Sequence, residues 1–204
     1  MTAILTDPHL KQAFCDITEQ ANVSCIIETG TNEGEGTLAL HELVQFVVTC
    51  EVNDALADVA QAKFKGKNIN LCRGSSDDII ARDLRYLIEK QKHRVMLVLD
   101  AHWNDHWPLL GELEAINKVR ELGHKLTILI DDFRVPDTPN FWFCRDGRND
   151  RPDGIVCGDN EPFDTELEKF PHVFYPNYSD INTIGYGIFS DFNLDLGPNF
   201  RKAR

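Results

Sequence analysis

What this sequence lacks narrows it first. No apolar run approaches the roughly 20 residues a membrane-spanning helix requires. The opening MTAILTDPHLK has no basic stretch followed by an apolar core, so no secretory leader is expected and a cytoplasmic setting is. Basic residues are scarce: 21 Lys and Arg stand against 33 Asp and Glu, a net charge of −12. Such a surface repels nucleic acid and anionic membrane, which favours a small-molecule partner. No C-x-x-C pair occurs among the cysteines at 15, 25, 50, 72, 144 and 157, so neither a zinc ribbon nor a redox motif is indicated. Cys25, Cys50 and Cys72 fall in apolar runs and read as buried thiols. Cys144 and Cys157 lie in a loop-rich stretch, where pairing or metal binding is the alternative. Internal repeats and low-complexity segments are missing too, and 204 residues suit one domain with a substantial core.

What is present is a regular alternation. A first helix is signalled by TDPHLKQAFCDITEQA, with Thr6 or Asp7 as cap, Pro8 in the first turn, and Leu10, Phe14 and Ile17 at helical spacing. Five short apolar runs follow at 23–28, 46–51, 69–74, 94–100 and 125–131. Their near-continuous hydrophobicity is that of parallel strands covered on both faces. Helical stretches near 36–44, 54–64, 77–91 and 107–122 separate them. Five successive β-α units predict a doubly wound α/β sheet. The runs HVFYP (172–176) and TIGYGIFS (183–190) predict a C-terminal antiparallel hairpin at its edge, for seven mostly parallel strands in all. Residues 133–170, rich in Pro, Gly, Asp and Asn, predict a lid-like insertion carrying the aromatic cluster NFWF at 140–143.

Ligands of open α/β sheets bind beyond the carboxyl ends of the strands. Four of the five ends carry acids: Glu28, Glu51, Asp100 (with His102 two residues on), and Asp131 with Asp132; the third ends in Gly74-Ser75-Ser76. The first end continues into ETGTNEGEGT, a glycine turn that admits close backbone approach. Two cofactors compete for it. The spacing T-G-x-x-x-G-x-G also occurs in short-chain dehydrogenases, where a pyrophosphate sits over the turn. Carboxylates at 28, 33 and 35 would oppose that phosphate by on the order of 1 kcal/mol or more each. S-adenosylmethionine has no phosphate and brings a sulfonium and an ammonium, so an acidic loop suits it. The Y-x-x-x-K pair a dehydrogenase needs occurs once, Tyr86 to Lys90, on the helix before the fourth strand, the wrong element for that role. Glu51 can accept both ribose hydroxyls of either cofactor.

These residues resemble class I S-adenosylmethionine-dependent methyltransferases over roughly residues 20–132 and the closing hairpin. IIETGTNEGEGT is similar to their first motif, TCEVND to the acidic second, and CRGSSDDI to the loop that lines the adenine. The resemblance implies a Rossmann-like methyltransferase fold and cofactor contacts from Glu28, Gly30, Thr31, Asn32, Gly36, Thr37, Glu51, Ser75, Ser76 and Asp100. LVLDAHWNDHWPLLGELEAI with TILIDDF resembles the metal-dependent branch related to macrocin O-methyltransferase and cephalosporin hydroxylase-like proteins. There the corresponding acids bind Mg²⁺, which carries over to Asp100, Asp131 and Asp132. The chain departs from that pattern in reading Asp-Ala-His-Trp where an acid-rich turn such as Asp-Gly-Asp is expected.

The chemistry is coherent on its own terms. Converging carboxylates repel one another unless a cation joins them, and all-oxygen ligands suit Mg²⁺ or Ca²⁺ rather than zinc. His102 is the candidate general base, with Asp100 beside it and His106 a weaker second. Trp103 and Trp107, at i and i+4, read as core. The expectation is a methyltransferase acting on a small-molecule hydroxyl, with room for a homodimer. The alternatives are an NAD(P)-dependent oxidoreductase of the short-chain type and a non-catalytic cofactor-binding domain.

Overall fold

The structure, a computed structural model, describes residues 6–102, 107–136, 141–142, 163–181 and 183–204, with the backbone alone at 141–142, 164 and 183–184. Helix α1 (Pro8–Gln20) starts where the cap signal predicts: Asp7 Oδ1 accepts from the His9 and Leu10 amides at 2.9 and 3.1 Å, and Pro8 occupies the first turn. Then come β1 (Cys25–Thr29), α2 (Glu35–His41), β2 (Phe46–Glu51), α3 (Asp54–Lys63), β3 (Ile69–Arg73), α4 (Ser76–Glu89), β4 (Val95–Leu99), α5 (Leu109–Arg120) and β5 (Thr127–Ile130). The remaining elements are β6 (Phe141–Trp142), α6 (Asp164–Leu167), β7 (His172–Pro176), β8 (Thr183–Ile184), β9 (Gly187–Ser190) and β10 (Phe200–Lys202).

The main sheet runs β10-β7-β9-β5-β4-β1-β2-β3. Strands β1 to β5 are parallel, and β9 joins β5 antiparallel, with β7 antiparallel beyond it. The predicted seven strands are all there. The sheet has an eighth, the three-residue β10, which pairs antiparallel with β7 and lies outside any strong apolar run. Its Phe200 is buried, so tertiary packing rather than strand propensity makes it a strand.

Both faces of the parallel strands are covered, as their composition requires. Ile27, Val48, Leu97 and Ile128 pack with Leu84 of α4 and Leu113 of α5 on one side. Ile26, Val47, Met96 and Leu129 pack with Phe14 of α1 and Leu40 of α2 on the other. Cys25 and Cys50 are buried free thiols and Cys72 is half-buried; Cys144 and Cys157 lie outside the described residues. Most of the predicted 133–170 insertion also lies outside them. Its two ends belong to the core, through Phe133, Val135, Phe163, Leu167 and Phe170. Of NFWF, the backbone of 141–142 forms β6, paired with β8.

A buried polar knot fastens α1 to the C-terminal strands. Asp7 Oδ2 accepts from the Tyr178 hydroxyl and, at 3.3 Å, from that of Tyr186; the two hydroxyls are 2.6 Å apart. Asp7→Ala is therefore expected to cost more than a cap. The cap contributes about 1 kcal/mol, and the tyrosine hydroxyls left without their anion add roughly 1–3 kcal/mol. Asp7→Asn, an equally good cap, should recover the first part. Urea titrations of both variants check this, and an Asp7→Asn variant as stable as the wild type would show that the tyrosines do not depend on the carboxylate.

Candidate active site

The strand order reverses between β4 and β1, and the two chains that leave them diverge. This opens a crevice at the carboxyl ends, the place where such sheets take ligands. Into it run the turn after β1, the end of β4 and the end of β5. The turn after β1 is wound tightly. Gly30 has φ +83°, Asn32 φ +51° and Gly34 φ +90°, and Gly34 caps α2. The amides of Gly30 and Thr31 both donate to the Cys50 carbonyl at 3.1 Å, which pins the turn to β2. A Cβ at Gly30 would stand 2.6 Å from the Asp100 carbonyl oxygen, so β1 and β4 approach here by a route only glycine permits.

Glu28 is buried, and its Oε2 accepts from the Thr49 hydroxyl at 2.8 Å and from the Thr37 hydroxyl. Burial raises its pKa to about 7 against the pull of those two hydroxyls. Thr31 bonds the same Thr49 hydroxyl at 2.6 Å. Glu51, also buried, accepts from the Asn53 amide through Oε1 and from the Asn32 amide through Oε2 at 2.9 and 2.8 Å. Its position at the end of β2 is the predicted one, and it also anchors the glycine turn. Ser75 caps α4 and its hydroxyl donates to Asp77; Ser76 and Thr37 are buried, and Gly36 is buried in α2. The other two acids of the glycine turn stand away from this cluster. Glu33 and Glu35 are exposed, and Lys63 of α3 binds the Glu35 carboxylate and, at 2.7 Å, the Glu33 carbonyl.

At the ends of β4 and β5 the acids converge. One ligand atom each from Asp100, His102 and Asp132 lies within 4.8 Å of the others. His102 Nε2 is 3.0 Å from Asp132 Oδ2, and the histidine is about one-third exposed (31%). Asp132 holds φ +55°, a left-handed turn that a bulky residue would resist. Burial, then Asp131, Asp132 and Glu28, hold the Asp100 carboxyl well above its ordinary range. Asp131 is thus Asp100's strongest charged neighbour, yet the three-residue cluster is built from His102 instead. His106 and Trp103 lie outside the described residues, and Trp107 packs edge-on against Phe163 at 4.9 Å.

The pattern of strand-end acids misses two residues. Thr29 accepts from the Asp100 and Ala101 amides through its hydroxyl at 3.1 and 3.3 Å, tying β1 to the end of β4. Glu112 of α5 is fully buried. The Ser76 and Thr29 hydroxyls approach its carboxylate without closing a bond of ordinary geometry, and burial raises its pKa to about 7. A signal for it exists in the chain: an acid inside the apolar stripe of Leu109, Leu113 and Ile116.

No family model and no curated protein matches the sequence. Solved structures do resemble the fold. An O-methyltransferase from Bacillus cereus in complex with SAH is 16% identical, with TM-score 0.57 over 90% of this chain and 81% of its own. The O-methyltransferase TomG from Streptomyces achromogenes, in complex with SAM, is 15% identical, with TM-score 0.56 over 88% and 78%. Spermidine synthase from Thermotoga maritima is 13% identical, with TM-score 0.56 over 95% of this chain and 61% of its own. The fold is the Rossmann-like methyltransferase fold. Because a spermidine synthase shares it to the same degree, the reaction has to be argued from the site.

Proposed function

We propose that this protein is an S-adenosylmethionine-dependent methyltransferase acting on a small-molecule hydroxyl with the help of a divalent cation, Mg²⁺ in the first instance. The observation that carries the reading is the juxtaposition of two features at one crevice: an acidic glycine turn after β1 and the Asp100–His102–Asp132 cluster across from it. Glu51, Asp131 and Asp132 make the field of the crevice negative, and a cofactor carrying a sulfonium and an ammonium would favour the charged forms of Glu28 and Asp100 as well. A dinucleotide pyrophosphate would meet that field as a like charge. The likeness to SAM- and SAH-bound O-methyltransferases supports the same choice at the level of the fold.

The donor set fits a hard divalent cation. Asp100 and Asp132 would offer oxygens to it and Asp131 adds negative charge beside them, which leaves the His102 imidazole outside the ligand set. When bound, such an ion lowers the pKa of a substrate hydroxyl. The chain's own part is positioning. The glycine turn lets the cofactor approach the backbone, Glu51 is placed for the ribose hydroxyls, and Thr29 fixes the main chain that presents Asp100. His102, oriented by Asp132, takes the hydroxyl proton. Bound S-adenosylmethionine would supply the methyl group, its carbon–sulfur bond breaking as the substrate oxygen bonds to the methyl carbon in line, with S-adenosylhomocysteine as the leaving group.

Calorimetric titration should show binding of S-adenosylhomocysteine and none of NAD(H); the reverse result would replace this reading with an oxidoreductase. The cation has a separate signature. Millimolar Mg²⁺ should raise the melting temperature of the wild type, by the equivalent of about 2.7 kcal/mol at a hundredfold excess over Kd. Asp132→Asn removes one of three repelling carboxylates, so its melting temperature without metal should rise while the Mg²⁺ shift largely disappears. If wild type and variant respond to Mg²⁺ alike, the cluster is not the ion's site.

A further inference from the structure

The end of the sheet opposite the crevice carries a second cavity, of about 280 Å³, that the proposed reaction does not use. It lies between the amino ends of β4 and β5 and the carboxyl ends of α1, α4 and α5. Its floor is apolar, with Ile88, Val23 and the ring of Phe192. Its rim is basic: Arg94 comes from the turn before β4 and Lys125 from the turn before β5, each beside a histidine, His93 and His124. None of its lining residues is an acid, in a chain where acids outnumber Lys and Arg 33 to 21.

Among the described residues the two permanent rim charges, Arg94 and Lys125, are not spent on carboxylates. Arg73, Arg82, Arg85 and Arg120 each hold a carboxylate. Among the described residues the Arg94 guanidinium has no such partner; its main chain is bonded to Ser24 and Cys25. Lys125 Nζ stands 5.8 Å from the centre of the Phe192 ring and, among the described residues, pairs with no carboxylate. His93 Nδ1 and the Ser24 hydroxyl share a hydrogen bond at 3.1 Å and the ring stacks on Phe46; among the described residues Nε2 has no hydrogen-bond partner. On the rim, His124 stands 3.4 Å from Glu89, which Arg85 also binds at 2.9 Å, and Asp191 is held by Arg120.

We propose that this cavity is a binding site for a small organic anion, a carboxylate or phosphate carried on an apolar body of about one ring. The apolar floor takes the body and the Arg94 and Lys125 side chains take the charge, Arg94 through the paired donors that suit planar or tetrahedral oxyanions. Its size lies just under the usual range for small-molecule sites of roughly 300–1,000 Å³, which sets the one-ring limit. The sheet separates it from the crevice, so occupancy does not compete with the cofactor, and the assignment stands whatever reaction the crevice performs.

Phenyl phosphate, benzoate and phenol, titrated at low salt and followed by amide NMR, test it. The two anions should shift the Gly123 and Thr127 amides and bind at least about tenfold more tightly than phenol, more weakly as salt is raised. Whichever anion binds more tightly identifies the phosphate or the carboxylate as the natural group. The double variant Arg94→Ala/Lys125→Ala should lose about tenfold or more in anion affinity with the amide spectrum of the sheet intact. Helix carboxyl ends also favour basic residues. If the double variant only melts at a lower temperature, and the wild type binds none of the probes or binds them as the variant does, the rim serves the helices and the proposal is wrong.

Discussion

Gly30→Ala is expected to cost about 3 kcal/mol of stability and to abolish binding of S-adenosylhomocysteine. The two components are independent. At φ +83° any side chain carries left-handed strain of roughly 1–2 kcal/mol. The new Cβ would also stand 2.6 Å from the Asp100 carbonyl oxygen, 3.0 Å from its carbon and 3.1 Å from the Ala101 Cα. All three are main-chain atoms, so no side chain can swing aside, and overpacking of this kind adds roughly 1–3 kcal/mol. The end of β4 must move, and Asp100 with it. Gly66→Ala is the control: its φ is +79°, but nothing lies within 4 Å of the added atom. That variant should lose only the strain, about 1 kcal/mol, and keep its ligand. Urea titration and calorimetry of both decide the matter; equal losses would mean that the approach of the two strands is not tight.

Glu112→Gln should stabilise the protein above neutral pH, by an amount on the order of 3 kcal/mol at most. The folded state holds the Glu112 pKa at about 7, above its ordinary 4.5, mainly through burial. A folded pKa raised above the unfolded one contributes stability that is fully present below the unfolded value, near pH 4.5. It is lost as pH rises through the folded value, near 7. Every tenfold difference in proton affinity between the folded and unfolded chain is worth about 1.4 kcal/mol. Glutamine is neutral throughout, so the variant should equal the wild type near pH 4 and surpass it near pH 8.5. Glu28 titrates in the same window with the same sign, but it is present in both proteins and cancels in the difference. Midpoints of urea denaturation at the two pH values give the result; a gap independent of pH would mean that Glu112 does not change charge on folding. Because Glu112 sits among the Thr29 and Ser76 hydroxyls, the neutral variant also tests whether its charge loosens the loops that carry Asp100 and Ser75.

Five parallel strands, their helices, the Asp7 cap and the closing hairpin could be read from the chain because each rests on local rules. A parallel strand buried on both faces is a short apolar run, and a helix start needs an acceptor just before it. The acids at the strand ends were equally legible, because the end of a run and the residue type found there are both visible in one dimension. Their grouping was not. Asp131 and Asp132 are adjacent in sequence, but consecutive side chains leave a turn in different directions. The left-handed conformation of Asp132 turns its carboxylate to His102. Nor could the glycine turn say which of its acids face the crevice. Glu28 faces the Thr37 and Thr49 hydroxyls, and Glu35 faces Lys63, a residue 28 positions away.

The sequence by itself determined the wound α/β sheet, the strand ends and the acidic character of the first turn, since period, length and residue type suffice for those. Only the tertiary structure decided that β1 and β4 approach closely enough to require Gly30, that His102 joins Asp100 and Asp132, that Glu112 is buried beside the Thr29 and Ser76 hydroxyls, and that scattered basic residues line one cavity at the far end. Each of these depends on the distance between segments remote along the chain. That distance is set by how the helices pack on the sheet, and no local pattern encodes it.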